Sequence, residues 1–335
     1  MAHEITITAA GKADMAYATG TAKPWHGLGQ TVDPSASPEE WARAANLTWH
    51  AKRSQVNFAN EVTGEPAAAF TGKEVLYRSD TGSPLSVVSD DYRVVQPDDV
   101  LTFFAKIAGI KDFQIETVGS LNEGRRIWAL ARVGQSAKIM DDMVAPYLLL
   151  ATSYDATMAT VAQFTAVRVV CSNTLRACLS AADDKKRVSV PHSAIFNPEK
   201  VRADLGINLN AWELFKREAL GMSRTQISDT ETAQYLQTLL SEFIPYGQTY
   251  SPEKVTNSKG YQRIMALFHG GQIGAGQDAV KGSAWGILQA VTQYIDHEKG
   301  RLPDNRLNGA WFGPGDKIKQ RAYEIAVELA APQIA

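Results

Sequence analysis

The segment Ala145–Cys178, APYLLLATSYDATMATVAQFTAVRVVCSNTLRAC, restricts the fold of this chain more than any other stretch. Tyr147–Ser153 and Thr157–Val167 are apolar runs of strand length, separated only by Tyr154-Asp155-Ala156. Runs joined by so short a polar tip pair as an antiparallel hairpin. The residues that follow predict a helix from about Val169 to Leu179. Such a hairpin and helix make a scaffold for holding a partner and carry no recognisable chemistry.

Other strand signals precede it. Lys73–Arg78 and Leu85–Ser89 flank the turn residues Ser79-Asp80-Thr81-Gly82, and Tyr92–Val95 continues extended. Phe113–Ser120 and Arg125–Val133 read as a hairpin across Leu121-Asn122-Glu123-Gly124. Thr48–Phe58 reads as a further strand. Two helices interrupt this block. Ser37-Pro38-Glu39-Glu40 has an N-cap, an N1 proline and a capping-box glutamate. Gln96-Pro97-Asp98-Asp99 opens a helix whose apolar face is Val100, Phe103, Phe104 and Ile107, with Gly109 suited to its end. Beyond the charged hinge Ala181–Arg187 the pattern is helical, over 197–204, 209–222, 228–243, 251–267, 276–299 and 314–331. The predicted fold is α+β, an antiparallel sheet of hairpins or a meander packed with helices and followed by a mainly helical C-terminal region. Residues 1–35 read as an extended arm, 36–187 as the α+β core and 188–335 as the helical part.

At 335 residues, with 44% hydrophobic and 21% charged side chains, the chain resembles ordinary globular proteins. The N-terminus lacks a basic start followed by an apolar core, so no signal peptide is expected. No apolar run approaches membrane-spanning length, and a cytoplasmic protein with no membrane partner is expected. Cys171 and Cys178 read as reduced, buried thiols. The net charge of −2 is unevenly spread. Residues 61–120 carry 5 basic against 10 acidic side chains (−5), whereas 121–225 carry 14 against 10 (+4). The basic excess therefore surrounds the opening segment.

Catalytic patterns are sparse. Gly270, Gly271, Gly274 and Gly276 crowd one loop, but no Gly-Lys-Ser/Thr completes a phosphate loop and the preceding segment reads as helix. The loop is a helix connection. The six histidines are scattered. Asp296-His297-Glu298 combines three ligand-type side chains, yet adjacent helical positions point in different directions. No metal and no cofactor are expected, and the chain is read as a non-enzyme. Metal-dependent hydrolysis at Asp296, His297 or Glu298 is the enzymatic alternative.

Basic and aromatic residues interleave more suggestively. Trp49, Lys52, Arg53 and Phe58 lie close together, and Arg125, Arg126, Trp128 and Arg132 share one predicted strand. Alternate strand residues share a face, which groups Arg126 with Trp128 and Leu130. Cations along a backbone with rings for base stacking are what single-stranded nucleic acid binding requires. Lys52, Arg53, Arg125, Arg126, Arg132, Arg168 and Arg176 are the candidate backbone contacts. Lys185, Lys186 and Arg187 are candidates to close over the strand from the hinge, and Trp49 and Trp128 are the candidate stacking rings. The competing reading makes Trp128 a core residue and the arginines edge or ion-pair residues. Arg168 sits among apolar neighbours, and Asn173-Thr174 is unusual inside a helix. Eight positions separate Arg168 from Arg176, which places both on one face if both are helical.

Several motifs recur in order over about 290 residues: Pro24-Trp25-His26-Gly27-Leu28-Gly29, Tyr92-Arg93-Val94-Val95-Gln96, Gly124-Arg125-Arg126-Ile127-Trp128, Val167-Arg168-Val169-Val170-Cys171-Ser172-Asn173-Thr174-Leu175, Tyr294-Ile295-Asp296-His297-Glu298 and Trp311-Phe312-Gly313-Pro314-Gly315. With these the chain resembles the phage/plasmid-like protein family built around domain of unknown function 932. It departs from that family's pattern at the tip Ser153-Tyr154-Asp155-Ala156, which lacks a glycine after the acidic residue, and at Val188–His192. The resemblance implies a mobile-element origin and a cytoplasmic location in a bacterial host. Its strand–strand–helix order is similar to the core of phage single-strand annealing proteins. That similarity implies single-stranded DNA as partner, strand annealing in recombination, and a homo-oligomer forming a ring or filament, with a host or phage replication or recombination protein as a further partner. The alternative is a non-enzymatic interaction factor that modulates a host defence or replication protein, a role suited to the acidic 61–120 block.

Overall fold

The computed structural model describes residues 5–8, 11–20, 28–107, 113–140, 142–168, 174–175, 187–205, 209–244, 251–270, 281–300, 309–310 and 313–334. In chain order these form β1 (Met15–Ala18), β2 (Gln30–Val32), α1 (Pro38–Ala44), β3 (Ala51–Asn60), β4 (Glu65–Arg78), β5 (Pro84–Ser89), α2 (Pro97–Ile107), β6 (Phe113–Leu121), β7 (Arg126–Val133), β8 (Ala137–Ile139), β9 (Asp142–Ser153), β10 (Thr160–Arg168), β11 (Thr174–Leu175) and β12 (Arg187–Val190). Helices follow: α3 (Pro198–Leu205), α4 (Leu209–Arg224), α5 (Asp229–Ser241), α6 (Pro252–Thr256), α7 (Lys259–Gly270), α8 (Ala284–Gln293), a π-helical turn over Tyr294–Glu298, and α9 (Pro314–Ile334). The fold is the mixed α+β type that the sequence predicts.

The larger sheet has nine strands in the order β11-β10-β9-β7-β6-β1-β2, with β12 also on β10 and β8 also on β9. Both expected hairpins form, β6 with β7 and β9 with β10. Ile127, Ala129 and Ala131 of β7 and Leu148 and Leu150 of β9 face a core closed by Trp41 of α1, by Val100, Phe103 and Phe104 of α2, and by Leu76 and Val88 of β4 and β5. Trp128, Leu130, Leu149 and Ala151 face the other way, against Ile5, Ala13 and Met15. Burial on both faces is why β9 reads as the unbroken apolar run YLLLA.

The N-terminal residues are not only an arm. β1 lies inside the large sheet, antiparallel to β6 and parallel to β2. Its sequence MAYA is short and has no β-branched residue, so it carries little strand signal, yet Met15, Ala16 and Ala18 are buried. The helix expected over 169–179 also needs correction. Thr174 and Leu175 form a two-residue strand, with Thr174 opposite Val167 and Leu175 opposite Ala166. Arg168 ends β10 instead of opening a helix, so the shared helical face with Arg176 does not arise. Cys171 and Cys178 lie outside the described residues, as do Pro24–Gly27, Gly109, Gly271–Gly276, Trp311 and Phe312.

Near the 187/188 division, β12 pairs with β10, and Val201 and Leu205 of α3 enter the same core as the sheet. The separate helical core begins with α4. It gathers Phe215, Leu236, Leu239, Leu267, Trp285, Leu288 and Tyr323, and it meets the sheet at Ile139, Val144 and Ala166. The capping box at Ser37 and Glu40 forms as read, and a second forms at Ser228 and Glu231. The predicted 251–267 helix is two helices, α6 and α7, and α8, capped by Ser283, begins eight residues later than expected.

At the β9–β10 tip, the position where the expected glycine is missing has the conformation glycine favours. Ala156 has φ +56°. A Cβ in the left-handed region costs about 1 kcal/mol relative to glycine. Ala156→Gly is therefore expected to raise the unfolding free energy by about 0.5–1 kcal/mol, a gain measurable by urea or thermal unfolding.

Candidate nucleic-acid interface

The family-like motifs knit the small sheet, ordered β3-β4-β5, to the large one. The Gln96 side chain donates to the Ala51 carbonyl at 3.1 Å and accepts from the Ala51 N–H at 2.9 Å, like a neighbouring strand. Tyr92 Oη donates to the Ser153 carbonyl at 2.7 Å, and Tyr154 Oη to the Val95 carbonyl at 2.8 Å. His192 stacks on Tyr92 with centroids 4.3 Å apart, and its ring nitrogens lie 2.9 and 3.1 Å from the Arg93 and Met158 carbonyls. Gly124 has φ +92°, and a Cβ there would stand 2.9 Å from Trp49 Cζ2 and 3.0 Å from Arg78 Nη1. Only glycine fits this close approach.

That approach encloses a buried charge cluster. The Arg78 guanidinium lies 4.6 Å from the centroid of the Trp49 ring. Its Nε and Nη2 donate to Asp80 at 3.0 and 2.8 Å, and its Nη1 reaches Asp14 at 3.5 Å and the Glu123 carbonyl at 3.3 Å. Asp14 is held from its other side by Asn46 Nδ2 at 2.8 Å. The Arg78 guanidinium holds the Asp80 carboxyl below the usual carboxylate range.

Among the described residues the predicted contact side chains are not brought to one place. Trp49 is 1% exposed and Trp128 2%, so neither ring is open to a nucleobase. Both are core side chains, Trp49 under Arg78 and edge-on to Tyr154 at 5.5 Å, and Trp128 on the closed face of β7. Arg53 pairs with Glu74 and donates to the Tyr92 carbonyl. Arg125 is exposed, with Nε donating to the Leu85 carbonyl at 3.1 Å. Arg126 Nη2 donates to Thr157 Oγ1 at 2.6 Å, beside Asp155. Arg132 pairs with Glu116 at 3.1 Å and donates to Gln114 at 3.0 Å. Glu116 in turn accepts from Tyr147 Oη at 2.5 Å, and burial with that carboxylate pushes the Tyr147 phenol up, so it stays a donor. Arg126 and Arg132 are six residues apart on one strand, about 20 Å. Arg168 and Arg187 end β10 and begin β12, and their side chains are not described. Arg176, Lys185 and Lys186 lie outside the described residues.

Lys52 is a predicted cation that stands on an open sheet face. The β3–β4 register places Lys52 opposite Tyr77, Ser54 opposite Val75, Val56 opposite Phe70 and Phe58 opposite Ala68, and the β4–β5 register adds Lys73 opposite Ser89 and Val87 opposite Val75. These residues share one face, because paired residues point the same way and alternate residues oppose. The other face holds Ala51, Leu76, Arg78 and Val88, which are buried. On the open face Lys52, Phe58, Phe70, Lys73 and Val87 are exposed, and no carboxylate belongs to it between Lys52 and Phe58, Ala68 and Tyr77, or Leu85 and Ser89. Phe58 was legible only as a neighbour of basic residues. Lys73 and Tyr77 join this face through the β3–β4 pairing and Phe70 through a register offset in β4, and neither leaves a signal in the sequence.

The two carboxylates of Asp296-His297-Glu298 are paired within this chain. Asp296 pairs with Lys319 at 2.6 Å, and Glu298 accepts from Arg263 at 2.5 and 2.8 Å. Among the described residues no cluster of His, Cys, Asp and Glu has a geometry that would hold a metal ion, and no helix is long and apolar enough to cross a membrane.

A two-sheet α+β scaffold with an open, lysine-bearing face is thus the class of protein defined by these features. Residues 84–312 match the model of the family described as domain of unknown function (DUF932), and the chain belongs to that family. The β3–β4 ribbon precedes the matched segment, whereas Gln96, Gly124 and Asp296 lie within it. No curated protein and no solved structure matches the chain.

Proposed function

We propose that the chain is a single-stranded-DNA-binding protein of a phage or plasmid that acts in the cytoplasm of a bacterial host and promotes strand annealing in recombination as a homo-oligomer. The observation that carries this reading is the open face of β3, β4 and β5, where Lys52 and Lys73 stand with exposed rings on a surface without carboxylates. Annealing requires two strands held with their bases accessible and needs no catalytic residue, so the reading is non-enzymatic. Repetition of a small face around a ring or along a filament would supply the continuous track that one subunit lacks.

Light scattering after size exclusion, with and without a single-stranded oligonucleotide, tests this. The expected result is a multiple of the 36.5 kDa chain mass that gains mass with the oligonucleotide at low salt. Affinity should fall linearly in log–log form with salt, with a slope of about −0.7 per phosphate contact. No association at low salt would end the reading. A second reading, a non-enzymatic factor that modulates a host defence or replication protein, is favoured by the ribbon tip Glu61-Val62-Thr63-Gly64-Glu65, where Val62 is 97% exposed. It requires one stoichiometric host protein in a pull-down together with no DNA binding.

A further inference from the structure

We infer that the Phe58–Phe70 pair on the β3–β4 ribbon is a stacking element for unpaired nucleobases, an assignment that rests on the single-strand reading above. Phe58 is 46% exposed and Phe70 50%, with ring centroids 6.5 Å apart at 79°. Neither ring belongs to a core cluster among the described residues. β5 covers β4 only over Lys73–Tyr77, so the segment from Val56 and Phe70 outward is a two-stranded ribbon. Two-stranded ribbons are marginal by themselves, and placing two large rings on the open side of one gains little for folding.

The geometry of β4 aims the rings and the cations together. The register runs from Gln55 opposite Glu74 directly to Val56 opposite Phe70, which leaves Thr71, Gly72 and Lys73 unpaired with β3 as a bulge, with Gly72 at φ +78°. Bulges bend a strand and re-aim its side chains. This bulge restores Phe70 to the face that carries Lys52 and Lys73. The nearby acidic side chains lie elsewhere: Glu74 is on the opposite face paired with Arg53, Glu61 and Glu65 are at the ribbon tip, and Asp90 and Asp91 lie beyond β5. A polyanion crossing the face between those ends meets Lys52 and Lys73, with the two rings alongside. In a duplex the base faces are hidden by their neighbours, so rings of this kind select single strands and tolerate any sequence.

The test is fluorescence anisotropy with a labelled oligo-dT strand and with a duplex of equal length, over a series of salt concentrations. Phe58→Ala/Phe70→Ala should weaken oligo-dT binding by about ten- to a hundredfold or more with the salt slope unchanged. Lys52→Gln/Lys73→Gln should instead flatten the slope by about 1.4, two contacts at about 0.7 each. Phe58→Leu/Phe70→Leu, which keeps apolar bulk without rings, should bind as weakly as the alanine pair. Circular dichroism and thermal unfolding confirm that each variant folds. If the wild-type chain binds oligo-dT and the alanine pair binds equally well, the stacking assignment is overturned and the single-strand reading stands. Were the alanine pair to keep its affinity but lose oligomer mass in light scattering, the ribbon would hold a second copy of the chain, and the assignment would again be overturned. If the wild-type chain does not bind at low salt, both fall together.

Discussion

Arg78→Met is expected to lower the unfolding free energy by about 3–5 kcal/mol, the loss typical when one partner of a buried ion pair is removed. Methionine retains much of the apolar stem but leaves Asp14, which is fully buried, without its guanidinium. Asp14 keeps Asn46 and Ser120 as donors, which satisfy hydrogen bonds but not its charge. The same change removes the cation above Trp49 and the donor to the Glu123 carbonyl at the tight Gly124 turn. Arg78→Lys should recover little, because one ammonium cannot serve Asp80 through two parallel bonds while also reaching Asp14 and Glu123. Asp80→Asn is the control. Asp80 is about a third exposed, so its loss should cost about 1 kcal/mol or less. Acid titration offers a second readout. The folded-state value of Asp80 is depressed, so its contribution is present above the unfolded value of about 3.9 and is lost as pH falls through the lower folded value. In Arg78→Met that part of the acid sensitivity should disappear. An Arg78→Met unfolding free energy within about 1 kcal/mol of wild type in urea would mean that the charge cluster adds little to the apolar contacts and other hydrogen bonds that join the two sheets.

The strands and helices were legible where local rules and tertiary environment agree. Capping at Ser37, the turn at Ser79–Gly82 and the apolar run of β9 each carry their own signal, and each forms. The misses share a cause, since each is decided by a partner strand or side chain and not by local spacing. β1 is four residues of weak propensity, made a strand by β6 and β2 on either side. Thr174 and Leu175 pair with β10 at a position where the sequence predicts a helix. Tryptophan beside arginine suggested a stacking site at Trp49 and Trp128, but the same composition describes a buried ring under a structural guanidinium, which is what Arg78 and Trp49 form. The open face was hidden for a different reason. Phe70 shares a side with Lys52 and Lys73 only because of the offset at Thr71–Lys73, and a bulge inverts the parity on which face assignments from sequence depend. Motifs that mark the family, such as Gln96 and Gly124, proved to be joints of the fold, whereas the exposed rings and lysines of the ribbon lie outside the matched segment.

Lys319→Met is expected to cost about 3–5 kcal/mol as well, in the helical part of the molecule. Lys319 and Asp296 are both buried, with Nζ and Oδ1 2.6 Å apart, joining α9 to the π-helical turn after α8. That turn lies against the second C-terminal motif, since a Cβ on Gly315 would stand 2.8 Å from Ile295 Cγ2. Methionine approximates the length of the lysine stem, so packing changes little and the loss reports the charge left on Asp296. Lys319→Met/Asp296→Leu should recover more than half of the loss, because replacing both partners by apolar groups removes the buried charge that Lys319 offsets. Urea unfolding of the two variants against wild type measures both effects. The pair also decides how Asp296-His297-Glu298 is to be interpreted. A carboxylate whose loss of partner unfolds the protein is a structural anchor, and any activity lost in an Asp296 variant would then follow from lost stability. A Lys319→Met variant as stable as wild type would instead separate Asp296 from the fold and reopen metal-assisted chemistry at that turn.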